Sequence, residues 1–134
     1  MTYVLDTTAV SALMRGEPKA IARLAATTPT DVSVPQPVLA EIAYGIERLA
    51  RSARRNQLQA RFELIQSQLP RAVWTDDVSA AFGRIKASLE RQGQRIEDFD
   101  AAIAAHAVAQ HAVLVTSNTQ HMKRVAGLRV EDWT

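Results

Sequence analysis

Asp6, Glu41 and Asp100 are acids placed where apolar patterns begin, end or border an interior, not where acids merely solubilise a surface. Carboxylates converging at ~4 Å in an effective dielectric of ~20 repel by about 4 kcal/mol per pair, and a bound divalent ion reverses that sign. With oxygen ligands and no cysteine, the cation chemistry favours Mg²⁺ or Mn²⁺ over Zn²⁺. Such sites retain waters that attack phosphodiesters.

Each acid also has a simpler reading. Asp6 directly follows Tyr3-Val4-Leu5, and an Asp there satisfies free amides at the start of a helix; Thr7 or Thr8 could do the same. Glu41 lies on the flank of the helical stripe Val38, Ile42, Ile46 and Leu49, beside Gly45. It either borders a site or reaches solvent and pairs with Arg48. Asp100 has Ile103, Ala104 and Ala107 on its own helical face, which makes it a helix-dipole charge or part of a buried-edge site. Asp98, nearer the expected helix boundary, is the expected cap.

The elements that must position these acids alternate. Tyr3–Leu5 predicts a strand, and Ala9–Arg15 a helix stopped by Gly16. Pro18 opens a second helix through Ala26, and Asp31–Val34 reads as a strand closed by Pro35. Two helices follow, one from Pro37 and one reaching Leu69. Ala72-Val73-Trp74 is a strand candidate, and Asp76-Asp77 start a helix to about Gln92. Asp98–Gln110 is an alanine-rich helix, Val113–Thr116 a strand, and Leu128–Val130 a last short strand. The alternation predicts one α/β domain over 1–134, with a mostly parallel sheet of four to five short strands between helices. Ligands of such sheets bind beyond the carboxyl ends of the strands, where Asp6 and the Thr116-Ser117-Asn118 turn fall.

Composition narrows the chemistry. The 134 residues contain no cysteine, which excludes disulfides, thiolate metal sites and cysteine nucleophiles. His106 and His111 stand about 140° apart on one helix, and neither pairs with His121 in a ligand spacing. A net charge of +2 permits nucleic acid without demanding it. The run Arg48, Arg51, Arg54, Arg55 and Arg61 reads first as a solvated face, as do Arg84, Lys86, Arg91 and Arg95, although the latter set also suits a phosphate groove. No signal peptide or apolar run of ~18 residues is visible, so the expected location is the cytoplasm, without membrane association.

The ordered fragments resemble the PIN-domain ribonucleases, most closely the toxins of VapBC toxin-antitoxin pairs. Val4-Leu5-Asp6-Thr7-Thr8 is similar to the family's opening strand and first acid, and Glu41-Ile42-Ala43-Tyr44-Gly45-Ile46 to its second-acid helix. Asp100 to Ala107 is similar to the third-acid helix, with Leu114–Asn118 and Leu128–Trp133 following at the usual distances. The resemblance implies a PIN-like three-layer sandwich and a Mg²⁺- or Mn²⁺-dependent endoribonuclease that cuts structured RNA, tRNA or rRNA. In it Asp6, Glu41 and Asp100 hold the metal, Thr8 orients Asp6 or a water, and Thr116 bonds near the first acid. It also implies a homodimer and a small antitoxin that covers the site. The chain departs from the pattern at Asn118, where many members carry a fourth Asp, and at Met122, where they carry an aromatic. Asn118 brings no charge, which weakens a second metal, and Asp98 is the nearby acid that substitutes in part.

Rival readings divide on single residues. A haloacid-dehalogenase phosphatase needs an acid two positions after the first, where this chain has Thr8. A dinucleotide fold needs glycine after the first strand, and none is there. Within the PIN family the alternatives are a housekeeping RNA-processing or DNA-acting nuclease and a domain that binds RNA or a partner without cleaving. Retained acids argue against the last.

Overall fold

The computed structural model describes all 134 residues. Its strands are β1 (Tyr3–Leu5), β2 (Val32–Pro35), β3 (Arg71–Ala72), β4 (Val113–Val115) and β5 (Arg129–Glu131). Its helices are α1 (Thr7–Met14), α2 (Pro18–Ala25), α3 (Gln36–Glu47), α4 (Ala53–Gln68), α5 (Asp76–Arg91), α6 (Asp98–Ala109) and α7 (Thr119–Met122). The strands form one sheet in the order β3-β2-β1-β4-β5, and every pairing is parallel. The chain therefore builds outward from β1 to one edge and then returns to β1's other side. The β1/β4 boundary is the switch point at which open parallel sheets leave a crevice.

Burial explains why these strands are short and continuously apolar. Val4 and Leu5 point to opposite faces of β1, yet both are fully buried, so helices cover both sides and the sandwich has three layers. Val32 and Val34 of β2 and all of β4 are likewise enclosed. A core cluster of 32 buried residues draws on both layers of helices and the sheet. In α6, Ala101, Ala102, Ala104, Ala105 and Ala107 are all buried, and these small side chains let α5 pack along it.

Several element boundaries differ from the sequence expectation, and two short elements lie outside it. The third strand is Arg71–Ala72, not Ala72–Trp74, because its partner β2 ends at Pro35, whose ring nitrogen has no proton to continue a ladder. Val73 and Trp74 consequently stand exposed. The last strand is shifted by one residue, since the Leu128 amide is held in a turn by the Val125 carbonyl and pairing continues through Glu131. The short α7 after Asn118, and a 3-10 turn at Pro29–Asp31, fall below the length at which periodicity can be read. No helix is long and apolar enough to cross a membrane.

Candidate functional site

The carboxyl ends of β1 and β4 are adjacent because Leu5 pairs with Val115, and the Asp6 amide bonds the Val115 carbonyl at 3.0 Å. Asp6 and Thr116 are therefore neighbours at the switch point, and both are buried. The Asp6 side chain is only 4% exposed, and its Oδ1 accepts hydrogen bonds from the Ala9 amide at 2.9 Å and the Thr8 hydroxyl at 2.6 Å. Capping and site-building thus turn out to be compatible: the bond from Ala9 caps α1 without moving the carboxylate from the crevice. Burial pushes the Asp6 carboxyl above its ordinary value, opposed by hydrogen bonds from Thr116, Thr8 and Ala9. No basic side chain forms an ion pair with it.

Thr8 does two things at once. Its hydroxyl oxygen donates to Asp6 and accepts the Ser117 amide at 2.8 Å, which locks the loop after β4 onto the loop after β1. The Thr116 hydroxyl in turn accepts the Asn118 amide at 2.9 Å. Asn118 caps α7 by position only, with no side-chain cap bond, and is exposed beside these loops.

Glu41 lies on α3, half-buried, and its Oε1 accepts the Thr7 hydroxyl at 2.5 Å. The consecutive threonines after Asp6 thereby anchor two acids from different elements. Its alternative partner Arg48 is instead drawn over the Tyr44 ring, 5.8 Å from the centroid. Asp100, on α6, stands 3.3 Å from Nε2 of His121 on α7, with both side chains about one-third exposed. Helix α6 packs against β1, β4 and α3, which brings the third acid to the same end of the sheet.

Asp98 is elsewhere. Its carboxylate is 66% exposed and held by Lys86 at 2.8 Å, which raises the lysine's proton affinity, and it lies two positions and about 200° around α6 from Asp100. It does not cap α6 either: Glu97 is the capping position, without a side-chain bond, because Asp98 is already inside the first turn.

Sequence reasoning missed Thr7 as the partner of Glu41, His121 as the neighbour of Asp100, and Arg124 as the neighbour of His121. The threonine pair was a visible signal, whereas His121 has no spacing relation to Asp100. The acids do not gather into a set of three closed around one point. Glu41 rests on Thr7 and Asp100 on His121. The donor chemistry nevertheless fits a hard divalent ion, since Asp6 is a buried carboxylate without a cationic partner and every flanking donor is oxygen or a single imidazole.

Comparison with known proteins agrees with this geometry. The family model described as "PIN domain" matches residues 3–128. The chain is 31% identical to the tRNA(fMet)-specific endonuclease VapC of Shigella flexneri over 100% of its own length and 99% of that protein. It is also 31% identical to Ribonuclease VapC2 of Rickettsia felis over 76% of its length and 74% of that protein. A crystal structure of VapBC2 from Rickettsia felis, bound to a DNA fragment from its promoter, superposes with a TM-score of 0.83 at 27% identity, covering 100% of both chains. With the PIN-domain model spanning most of its length, full-length VapC relatives at about 30% identity and a matching sheet, this chain belongs to the PIN-domain family and, within it, to the VapC ribonucleases.

Proposed function

We propose that the protein is a metal-dependent endoribonuclease toxin of a toxin-antitoxin pair, with Asp6, Glu41 and Asp100 as ligands for Mg²⁺ or Mn²⁺. The carrying observation is Asp6: a buried carboxylate at the switch point of the sheet, fixed by hydrogen bonds and lacking any basic partner. A bound divalent ion supplies Lewis-acid polarisation of the phosphodiester and makes hydroxide accessible from water near neutral pH.

The chain's own residues supply order. Thr8 fixes the Asp6 oxygen and joins the two strand-end loops, so the first ligand needs little rearrangement when an ion and substrate arrive. Thr7 presents Glu41 from across the crevice, and His121 stands at Asp100 as a polar neighbour that shifts aside for a ligand or stays as a donor toward phosphate. Thr116 steadies both Asp6 and the Asn118 turn, and the neutral Asn118 side chain offers hydrogen bonds to water or phosphate but no charge. One metal held well, with a second joining only in the presence of RNA phosphate, follows from that neutrality.

The substrate is structured RNA, with tRNA the first choice because a full-length relative is named for tRNA(fMet). A small antitoxin is the expected partner, since the related solved structures are VapBC assemblies. A homodimer in the cytoplasm completes the reading that the family resemblance implies.

The deciding experiment is incubation of purified protein, freed of any co-purified partner, with cellular RNA in Mg²⁺, Mn²⁺ or EDTA, beside Asp6→Asn. Discrete cleavage that needs metal and disappears in the variant is expected. Inert wild type that still binds RNA would replace this reading with a binding-only one.

A further inference from the structure

On α5, Arg84, Ser88 and Arg91 occupy positions i, i+4 and i+7, so they line one side of the helix over two turns, about 10 Å. Together with Arg124, beyond α7, they rim a groove of about 340 Å³ whose floor includes Leu89 and Val125. No acidic residue lines it. Arg84 and Arg91 are exposed, and neither takes part in an ion pair; the paired cations are Arg15, Arg23, Arg55, Lys86 and His121.

Arg124 differs from these two in being fixed. Its guanidinium donates to the His121 carbonyl at 2.9 Å and the Arg95 carbonyl at 3.0 Å, and Nη2 lies 3.0 Å from Nδ1 of His121. The other nitrogen of that imidazole faces Asp100 at 3.3 Å. A continuous polar path therefore runs from the proposed metal ligand through His121 and Arg124 into the arginine groove.

We infer that this groove binds the phosphate backbone of the RNA substrate away from the scissile bond. Guanidinium groups match phosphate oxygens in a bidentate geometry, none of these three is ion-paired with a carboxylate, and an apolar floor accepts ribose and base faces. Continuity with Asp100 favours the substrate over a protein segment, because a strand engaged at the acids is led along Arg124 to Arg91 and Arg84. The inference rests on the nuclease reading for the identity of the strand. It adds a binding surface outside the acid site.

The test compares wild type, the groove pair Arg84→Glu with Arg91→Glu, and a control pair Lys19→Glu with Arg51→Glu that changes net charge equally at exposed positions outside the groove. Binding to unfractionated tRNA is measured across salt concentrations in EDTA, and cleavage separately with Mg²⁺ or Mn²⁺. The groove pair is expected to weaken binding about tenfold or more and to lower the log–log salt slope by about 1.5 to 2, with KM raised and kcat within about twofold. The control pair should change affinity less than about threefold. Equal weakening by both pairs, or an unchanged Kd and slope in the groove pair, overturns the groove. Wild type that fails to bind tRNA overturns it as well. Wild type that binds but never cleaves refutes the nuclease reading alone, and the binding comparison still judges the groove. Thermal melts verify folding, and Arg84→Gln with Arg91→Gln replaces the reversal if the glutamates unfold the chain.

Discussion

Two buried ionisable side chains, Asp6 and His106, sit on opposite terms with their surroundings. Asp6 is enclosed at the ends of β1 and β4 yet supplied with hydrogen bonds from Thr8, Ala9 and Thr116. His106, on α6, is fully buried and neither ring nitrogen has a partner. Its ring meets the Trp74 ring edge-on at 5.3 Å, and burial holds its pKa below the ordinary value. Both groups suffer desolvation, but only Asp6 is surrounded by donors aimed at its charged form. A buried carboxylate supplied with donors is a candidate ligand for a cation; an unpartnered imidazole among alanines fills space.

The largest effect that sharpens this contrast comes from Asp6→Asn. Cleavage of RNA should fall by about 10³-fold or more, because the proposed metal ligand is removed. The amide still caps α1 and still accepts from Thr8, while the desolvated charge is gone, so the metal-free protein should melt a few degrees higher. Cleavage assays and thermal melts in EDTA check both halves. A variant that loses activity and stability together would mean that Asp6 is structural.

Thr8→Val comes next. It removes the donor to Asp6 and the acceptor for the Ser117 amide, leaving the buried carboxylate short of one donor and the exposed Ser117 amide free of the bond that joins the two loops. Stability should drop by about 1–2 kcal/mol and cleavage by about 10-fold or more, read by denaturant unfolding and kcat. Thr8→Ser should recover much of both, since it keeps the hydroxyl.

His106→Leu tests the other side of the comparison. Replacing an unpartnered buried imidazole with an apolar side chain of similar size should stabilise the fold by about 1 kcal/mol and leave kcat unchanged. The pH dependence gives an independent sign. In the folded chain His106 has its pKa depressed below the ordinary 6.5, so the unfolded chain takes up that proton first as pH falls. Its stability contribution is intact above about 6.5 and is lost as pH falls below that value toward the folded pKa. Wild type should therefore lose stability in that window relative to His106→Leu, and parallel unfolding curves at two pH values would contradict the assignment.

The smallest effect belongs to Asp98→Ala. Its ion pair with Lys86 is exposed and screened by solvent, so the melting temperature should hardly change. Metal-dependent cleavage should stay within about twofold of wild type. A large loss would return Asp98 to the metal site in place of the missing fourth acid.

Much of this arrangement is legible in the residues. The β1, β2 and β4 runs are short, branched and apolar, and proline or glycine punctuates most helices, so the α/β alternation can be read directly. Trp74 shows where such reading fails: its β propensity is sound, but β2 has no amide at Pro35 to extend the pairing. His121 and Arg124 fail for a different reason, because no local pattern joins them to Asp100, more than twenty residues earlier.

The sequence by itself determined the longer elements, the three candidate acids and the absence of thiol chemistry, since these depend on residue type and local periodicity. Only the tertiary structure decided which partners the acids keep. Strand order, a long-range property, sets Asp6 against Thr116, turns Thr7 to Glu41 and His121 to Asp100, and leaves Asp98 with Lys86. A carboxylate's role is fixed by the donors, charges and water that surround it, and those arrive from distant segments when the sheet closes around β1.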